Sequence, residues 1–263
     1  MAMMDLDLTG KTALITASVT GIGLATAQQL CARGVTVWIN GRKPDRLEAA
    51  VKAITDRVPG AQVRTVLADV ATAEGCKTIT DTVKDLDILI NMAGGTEDLR
   101  PFVDMPDENW QYQWDFNVMS AVRLTRHYVP ILQKKDFGRI IFLSSNAAYM
   151  TPNVLVDYGV CKAAVIGLSR AVAEIFHSSK GVTVNCVVPG PTLADWVYRE
   201  QKKAGLTFQE FQDSQFVRGN ETTSLLARFA EADEVANMIT YLCAPASNAT
   251  RGAVLRVEGG AIR

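Results

Sequence analysis

Histidine is scarce in this sequence, and its cysteines are unpaired. The 263-residue chain has two histidines, His127 and His177, and five single cysteines without a Cys-x-x-Cys spacing: Cys31, Cys76, Cys161, Cys186 and Cys243. A structural zinc site needs His and Cys ligands clustered at short spacings, so no metal site is predicted. An odd number of scattered cysteines predicts reduced, mostly buried thiols in a cytoplasmic protein.

The sequence also lacks long apolar runs and any strong excess of charge. No run approaches the roughly 18 apolar residues of a membrane span. Residues 1–9 contain Asp5 and Asp7 rather than a basic, apolar leader, so no secretory signal is expected. The formal net charge of −1 gives no electrostatic reason to expect a nucleic acid or an anionic membrane as partner.

Short β-branched apolar runs alternate with longer amphipathic stretches along the chain. Strands are predicted at 12–16, 35–40, 63–67, 88–91, 139–143, 182–188 and 254–257, and helices near 22–33, 44–58, 74–84, 108–134, 155–179 and 232–243. Nearly continuous apolar strands between helices are typical of a parallel sheet covered on both faces. The sequence therefore predicts an α/β fold, a single-domain doubly wound parallel sheet of about seven strands spanning residues 1–263.

The segment 192–228 interrupts this alternation between the last two predicted strands, and it is rich in Gln, Glu, Lys and Phe. Such a segment is either a surface helical insertion or a lid over a substrate, and its start directly after a strand end favours the lid. Its large apolar side chains either wall a pocket or pack against the rest of the protein: Leu193, Trp196, Tyr198, Phe208, Phe211 and Phe216.

The first predicted strand ends in a glycine-bearing turn that leads into a helix. The residues of this turn are Thr16, Ala17, Ser18, Gly21, Ile22 and Gly23. Glycines in such a turn let backbone amides approach a pyrophosphate, which then lies at the positive end of the helix. A dinucleotide site is therefore predicted here, the alternative being a tight turn without a ligand.

The second predicted strand leads into Gly41, Arg42 and Lys43. A site for NAD places a carboxylate at this strand end to hold the ribose 2′-hydroxyl. Here glycine takes that place, and the Arg42 guanidinium that follows suits a 2′-phosphate. We therefore expect NADP(H) rather than NAD(H); the alternative is an exposed loop that happens to be basic.

A tyrosine and a lysine four residues apart are the main candidates for catalysis. Tyr158 and Lys162 share one face of a predicted helix, and Tyr158 follows Ser145 by thirteen residues. An ammonium beside a phenol favours the phenolate, so Lys162 is expected to lower the Tyr158 pKa from its usual value of about 10. Tyr158 is thus the predicted general acid and base. Ser144 is interpreted as a strand-end hydroxyl.

Together these motifs resemble the short-chain dehydrogenase/reductase family from about residue 8 to residue 260. The first turn resembles the family's Thr-Gly-x-x-x-Gly-x-Gly motif, with Ala17 in place of a glycine and weakened or shifted cofactor binding as the expected consequence. Asn91-Met92-Ala93-Gly94 resembles the family's Asn-Asn-Ala-Gly element, with Met92 replacing an asparagine. The resemblance implies a Rossmann fold.

The resemblance also implies roles for individual residues. Ser145, Tyr158 and Lys162 take the catalytic positions, with Ser145 binding the substrate oxygen and Lys162 also binding the nicotinamide ribose. Asn117 matches a helix asparagine that holds a water for proton relay, and as a poor helix former it predicts a kink. The implied cofactor contacts beyond the first turn and Arg42 are Asp69, Val70, Asn91, Ala93, Gly94, Tyr158, Lys162, Pro189, Gly190 and Thr192.

The leading prediction is an NADP(H)-dependent oxidoreductase that interconverts a carbonyl and a secondary alcohol. Its substrate would be a small molecule, and the resemblance implies a homo-oligomer, a tetramer or dimer. One alternative is a 3-oxoacyl carrier-protein reductase, which needs a basic face for its acidic carrier. The other is a regulatory or scaffold protein that kept the fold and lost the chemistry. The sequence leaves the substrate open.

Overall fold

The computed structural model describes residues 5–96, 99–218 and 221–262. A parallel sheet of seven strands has the order β3-β2-β1-β4-β5-β6-β9, and β7 pairs antiparallel with β8 in a small separate hairpin. The strands are β1 Thr12–Ile15, β2 Thr36–Gly41, β3 Val63–Leu67, β4 Ile88–Asn91, β5 Gly138–Leu143, β6 Val182–Pro189, β7 Val217–Arg218, β8 Glu221–Thr222 and β9 Val254–Val257. The sequence did not predict the hairpin.

Helices cover both faces of this sheet. They are α1 Gly21–Cys31, α2 Pro44–Arg57, α3 Ala73–Thr82, α4 Asp107–Trp114, α5 Ser120–Leu132, α6 Val156–Ile175, α7 Asp195–Ala204, α8 Phe208–Phe216 and α9 Ala232–Cys243. Helices α1, α2 and α9 share one apolar core with the sheet, and α3, α5 and α6 share a second core on the opposite face. The predicted doubly wound parallel sheet is therefore confirmed.

Burial follows each strand's place in the sheet. Every residue of the central strands β4, β5 and β6 is buried, whereas the edge strands β3 and β9 are exposed or partly buried at every position except Val66. Helices cover both faces of the central parallel strands. For this reason these strands are nearly continuous apolar runs in the sequence. The predicted strand ends differ from the observed ones by one residue or less.

The predicted helix 108–134 is divided by a wider turn. Between α4 and α5 lies one π-helical segment, Asp115–Met119, with Asn117 at its centre. The Ser120 hydroxyl donates a hydrogen bond to the Phe116 carbonyl at 2.6 Å, which compensates for the disturbed backbone ladder. The helix irregularity predicted from Asn117 is present as this π-helical segment. Single π-helical turns within α-helices are frequent at functional sites.

The segment after β6 forms the two helices α7 and α8. Phe211, Phe216 and Val197 are buried around Phe229 in a small core of their own. Trp196 remains 38% exposed and Tyr198 54% exposed. Each of the two alternatives for the aromatic residues of segment 192–228 therefore holds for some of them: Phe211 and Phe216 pack in this small core, whereas Trp196 lines a cavity.

The five cysteines are free thiols, and each is buried. Burial raises the pKa of the Cys161 thiol to about 11, so it stays protonated and unreactive at neutral pH. Among the residues that the structure describes, no helix combines the length and apolar character needed to cross a membrane.

Candidate active site

A cavity of about 640 Å³ opens at the carboxyl ends of β1 to β4, where the strand order reverses direction. In open α/β sheets this reversal point is where ligands bind. Of the residues predicted to bind a cofactor, Arg42, Asp69, Val70 and Gly94 line the cavity directly. Side chains from α4 and α7 complete the wall: Asn109, Tyr112, Gln113, Asp195, Trp196 and Arg199.

The turn after β1 is held open to the cavity with Ala17 in a left-handed conformation, φ +47°. Its amide donates a hydrogen bond to the Asn40 side-chain oxygen at 3.1 Å. Left-handed backbone costs an L-residue about 1–2 kcal/mol, so the Ala17 methyl is accommodated at the expense of backbone strain.

The other predicted residues of this turn support it from beneath. The Thr16 hydroxyl accepts hydrogen bonds from the amides of Met92 and Ala93 at 3.0 and 2.9 Å. The Ser18 hydroxyl donates to the Ile15 carbonyl at 2.7 Å, and Ser18 is fully buried. These side chains shape the turn rather than line the cavity.

Glycines let the first helix begin close to this turn. A Cβ on Gly23 would lie 2.7 Å from the Ser18 Cα, so only glycine fits there. Gly21 has φ +54°, which also favours glycine. Ile22 lies between these two glycines in the first turn of α1 and is partly buried.

Asn40 also lines the cavity, and the sequence analysis did not single it out. It is 1% exposed, and its side-chain nitrogen donates to the carbonyls of Val66 and Ala68 at 3.1 and 3.0 Å. With the bond to Ala17, one carboxamide joins the ends of β1, β2 and β3. The available signal was an asparagine in an otherwise apolar strand, which is buried only when fully hydrogen-bonded.

One end of the cavity is basic. Arg42 donates a hydrogen bond from Nη1 to the Tyr112 hydroxyl at 3.3 Å, and Arg46 forms an ion pair with Asp195 of α7 at 3.2 Å. The cationic residues that line this end are Arg42, Lys43, Arg46 and Arg199. Such a cluster suits an anionic group such as a phosphate.

Asp69 and Val70 form the floor next to this basic end. The Asp69 carboxylate accepts a hydrogen bond from the Ala71 amide at 3.0 Å and also lines the cavity. Val70 is 3% exposed. The turn after β3 therefore presents one carboxylate beside an apolar surface.

The predicted catalytic side chains meet at the carboxyl end of β5. The Lys162 Nζ lies 5.6 Å from the centre of the Tyr158 ring and donates a hydrogen bond to the Leu143 carbonyl at 3.0 Å. The Ser145 side chain is hydrogen-bonded to Tyr158. The Ser144 hydroxyl instead donates to the Lys162 carbonyl at 2.7 Å, which anchors α6 to the strand end.

Burial is the main cause of the pKa shifts of both Tyr158 and Lys162. The pKa of Tyr158 is raised, mainly by burial, although the hydrogen bond with Ser145 lowers it in part. Burial lowers the pKa of Lys162 to about 8. The expected lowering of the Tyr158 pKa is thus not seen, because desolvation outweighs the favourable interactions and the ammonium points to a carbonyl and the ring.

Gly94 marks the point where the cavity reaches Lys162. A Cβ on Gly94 would overlap the Lys162 ammonium and would lie 2.8 Å from the Asn117 side-chain oxygen. The same oxygen accepts a hydrogen bond from the Gly95 amide at 3.1 Å. The loop after β4, the π-helical segment and Lys162 are therefore in direct contact.

The remaining predicted residues lie around this centre. The Asn91 side chain donates to the Thr125 hydroxyl at 3.0 Å and so ties β4 to α5. The Thr192 hydroxyl donates to the Gly190 carbonyl at 2.9 Å, just after Pro189 at the end of β6. A Cβ on Gly190 would lie 2.7 Å from the Glu258 carbonyl oxygen, so this passage requires glycine.

Comparison with known proteins identifies the class of enzyme. A family model described as enoyl-(acyl carrier protein) reductase matches residues 16–261. The Bacillus subtilis oxidoreductase YvaG is 36% identical over 99% of both chains. The 3-oxoacyl-[acyl-carrier-protein] reductase FabG of Aquifex aeolicus is 30% identical, covering 98% of this chain and 99% of the relative.

A solved structure agrees with this assignment. L-sorbose reductase from Gluconobacter frateurii, complexed with NADPH and L-sorbose, is 32% identical with a TM-score of 0.89 over 99% of both chains. The present chain belongs to the short-chain dehydrogenase/reductase family. It is accordingly an oxidoreductase of that family.

Proposed function

We propose that this chain is an NADP(H)-dependent oxidoreductase that interconverts a carbonyl and a secondary alcohol by hydride transfer, with Tyr158 as general acid and base. The observation that carries the proposal is the contact of Lys162 with both the Tyr158 ring and the Gly94 end of the cavity. That contact joins a proton-transfer group to a cavity of dinucleotide size.

The residues present fit a nicotinamide dinucleotide. The main chain at Gly94 and Gly95 lines the cavity next to Lys162, and the opposite end of the cavity has Arg42 and Arg46 for a 2′-phosphate. The NADPH complex of the Gluconobacter frateurii relative supports this choice. The bound nicotinamide would supply the hydride to the substrate carbon or take it from there.

The side chains divide the proton transfer between them. In reduction, Tyr158 gives its phenolic proton to the carbonyl oxygen, and its raised pKa keeps that proton in place at neutral pH until transfer. Ser145 donates a hydrogen bond to the same oxygen. Lys162 is protonated below about pH 8, and its ammonium stabilises the phenolate as the proton leaves. Oxidation of the alcohol reverses these steps.

Among the possible substrate classes, we favour a small polar ketone. The relative solved with L-sorbose matches the chain over 99% of its length. A 3-oxoacyl carrier-protein reductase, the activity of the Aquifex aeolicus relative, would need a basic face to dock an acidic carrier. On α6 and α7 the cations Arg170 and Lys203 each lie beside a glutamate, Glu174 and Glu200, so these helices present mixed charge, which disfavours that alternative.

Cofactor oxidation with a panel of carbonyls tests the proposal. The panel contains ketoses, simple cyclic and aliphatic ketones and 3-oxoacyl thioesters, each with NADPH. Tyr158→Phe should reduce turnover about 10²- to 10⁴-fold and leave NADPH affinity unchanged. Tyr149→Phe, at an exposed tyrosine in the loop after β5, is the matched control and should stay active. If wild type and Tyr158→Phe bind NADPH but are equally inactive on every carbonyl, the result contradicts the proposed chemistry and favours the scaffold alternative.

A further inference from the structure

Gln113 is a buried side chain that the sequence did not single out. It lies on α4, four residues before Asn117, and is 4% exposed. It also lines the cavity. A glutamine is seldom buried without a specific partner, because its carboxamide loses hydrogen bonds to water.

Its partner is the Asn117 side chain. The Asn117 nitrogen donates to the Gln113 side-chain oxygen at 2.7 Å and to the Gln113 carbonyl at 3.1 Å. These two hydrogen bonds hold the Asn117 carboxamide in one orientation, with its nitrogen toward α4. The Asn117 oxygen then faces the loop after β4.

That oxygen accepts from the Gly95 amide at 3.1 Å, while the Asn117 nitrogen also lies 3.4 Å from the Gly95 carbonyl. The loop is thereby fastened at Gly95, directly beside the Gly94 position that touches Lys162. Gln113, Asn117 and Gly95 form a hydrogen-bonded chain from α4 to the reaction centre. Fixed side chains behind a reacting group maintain the geometry on which the rate depends.

We propose that Gln113 is a positioning residue of the reaction site: its side-chain oxygen orients the Asn117 carboxamide, which fastens the Gly94–Gly95 turn against Lys162. The proposal rests on the proposed function. Gln113 acts through Asn117 and takes no part in proton transfer.

Two substitutions separate the hydrogen-bond acceptor from the volume of the side chain. Gln113→Leu removes the acceptor oxygen and retains an apolar side chain of related size. Gln113→Glu keeps an oxygen at the same distance from Asn117. Gln111→Leu is the matched control, because Gln111 lies on the same helix and bonds Asp115 at 2.8 Å on the exposed side.

Steady-state kinetics give the first test. Gln113→Leu should lower kcat about 10- to 100-fold, with the KM for NADPH within about twofold because the basic end of the cavity is untouched. Gln113→Glu should recover kcat to within about fivefold of wild type, and Gln111→Leu should be indistinguishable from wild type. In an Asn117→Ala background Gln113→Leu should have almost no further effect, since the two residues act as a unit. A full, additive loss in that background overturns the proposal.

Amide hydrogen exchange of Gly95 gives a readout that does not need a substrate. The Gly95 amide should exchange faster in Gln113→Leu than in wild type and keep its protection in Gln113→Glu and Gln111→Leu. Unchanged protection in Gln113→Leu overturns the positioning role. If protection changes as expected while Tyr158→Phe is as active as wild type, the coupling stands and the proposed chemistry fails.

Discussion

The Lys162 ammonium occupies the space that a side chain on Gly94 would fill. The two residues are far apart in sequence, and their contact brings the Lys162 side chain of α6 against the loop after β4. Lys162 is 2% exposed, and burial lowers its pKa to about 8. Burial therefore disfavours the charged form of Lys162, and with it the folded state at neutral pH.

Gly94→Ala tests this contact. The new methyl would crowd Lys162 and Asn117, so we expect a loss of about 1–3 kcal/mol in the free energy of unfolding and at least about a tenfold loss of turnover. Gly95→Ala is the control, because Gly95 has a similar backbone, φ +147° against +156°, but no atom within 4 Å of its added Cβ. Urea unfolding and NADPH turnover should separate the two variants; equal effects would assign the loss to the backbone alone.

Lys162→Met should stabilise the protein while it abolishes turnover. Between pH 8 and 10.5, the ordinary pKa of a lysine, the unfolded chain binds more protons at this lysine than the folded protein, so wild-type stability rises with pH over that window. Below about pH 8 the full desolvation cost is present. We expect the variant to be more stable than wild type at pH 7 by on the order of 2 kcal/mol, with the difference shrinking toward pH 10.5.

Urea unfolding at pH 7 and pH 10 measures this difference. Lys77→Met is the control, because Lys77 is exposed and pairs with Asp81 within one helix, an interaction that contributes little. A Lys162→Met protein that is less stable than wild type at pH 7, or a difference that does not vary with pH, would contradict the argument.

Arg42→Ala should change cofactor preference. A guanidinium bonded to a phosphate contributes about 1.5–3 kcal/mol, so we expect the NADPH dissociation constant to rise about tenfold or more and that of NADH to change less than about twofold. Fluorescence titration with NADPH and with NADH measures the two dissociation constants. Lys52→Ala removes a cation from α2 outside the cavity and should alter neither constant. Equal weakening for NADPH and NADH would show that Arg42 does not read the 2′-phosphate.

Ala17→Gly should relieve the strained turn. Removing the methyl at φ +47° recovers about 1–2 kcal/mol of conformational strain, offset by about 0.4–1 kcal/mol because glycine is more flexible in the unfolded chain. We expect a slightly more stable protein that binds NADPH more tightly. Ala227→Gly, at φ +53° and away from the cavity lining, should have the same stability effect without the gain in affinity. Denaturant midpoints and cofactor titration decide between these outcomes.

The order of strands and helices could be predicted because each depends on local periodicity. Continuous apolar runs produced β4, β5 and β6, and the i, i+4 spacing brought Tyr158 and Lys162 onto one helix face. The glycine turn after β1 and the basic residues after β2 were also recognisable, since each is a short contiguous motif. Family, fold and principal catalytic candidates were therefore accessible from the sequence.

Contacts between distant segments were not accessible in this way. The Asn40 bond to Ala17, the bond of Asn117 to Gly95 and the contact of Lys162 with Gly94 each join separate elements. The direction of the Tyr158 pKa shift also depends on burial, which arises only when α6 packs on β5. Sequence by itself determined which elements form and which side chains have the chemistry. Tertiary structure decided how those side chains are desolvated and held, because burial and hydrogen bonding at a site are set by residues from several elements at once.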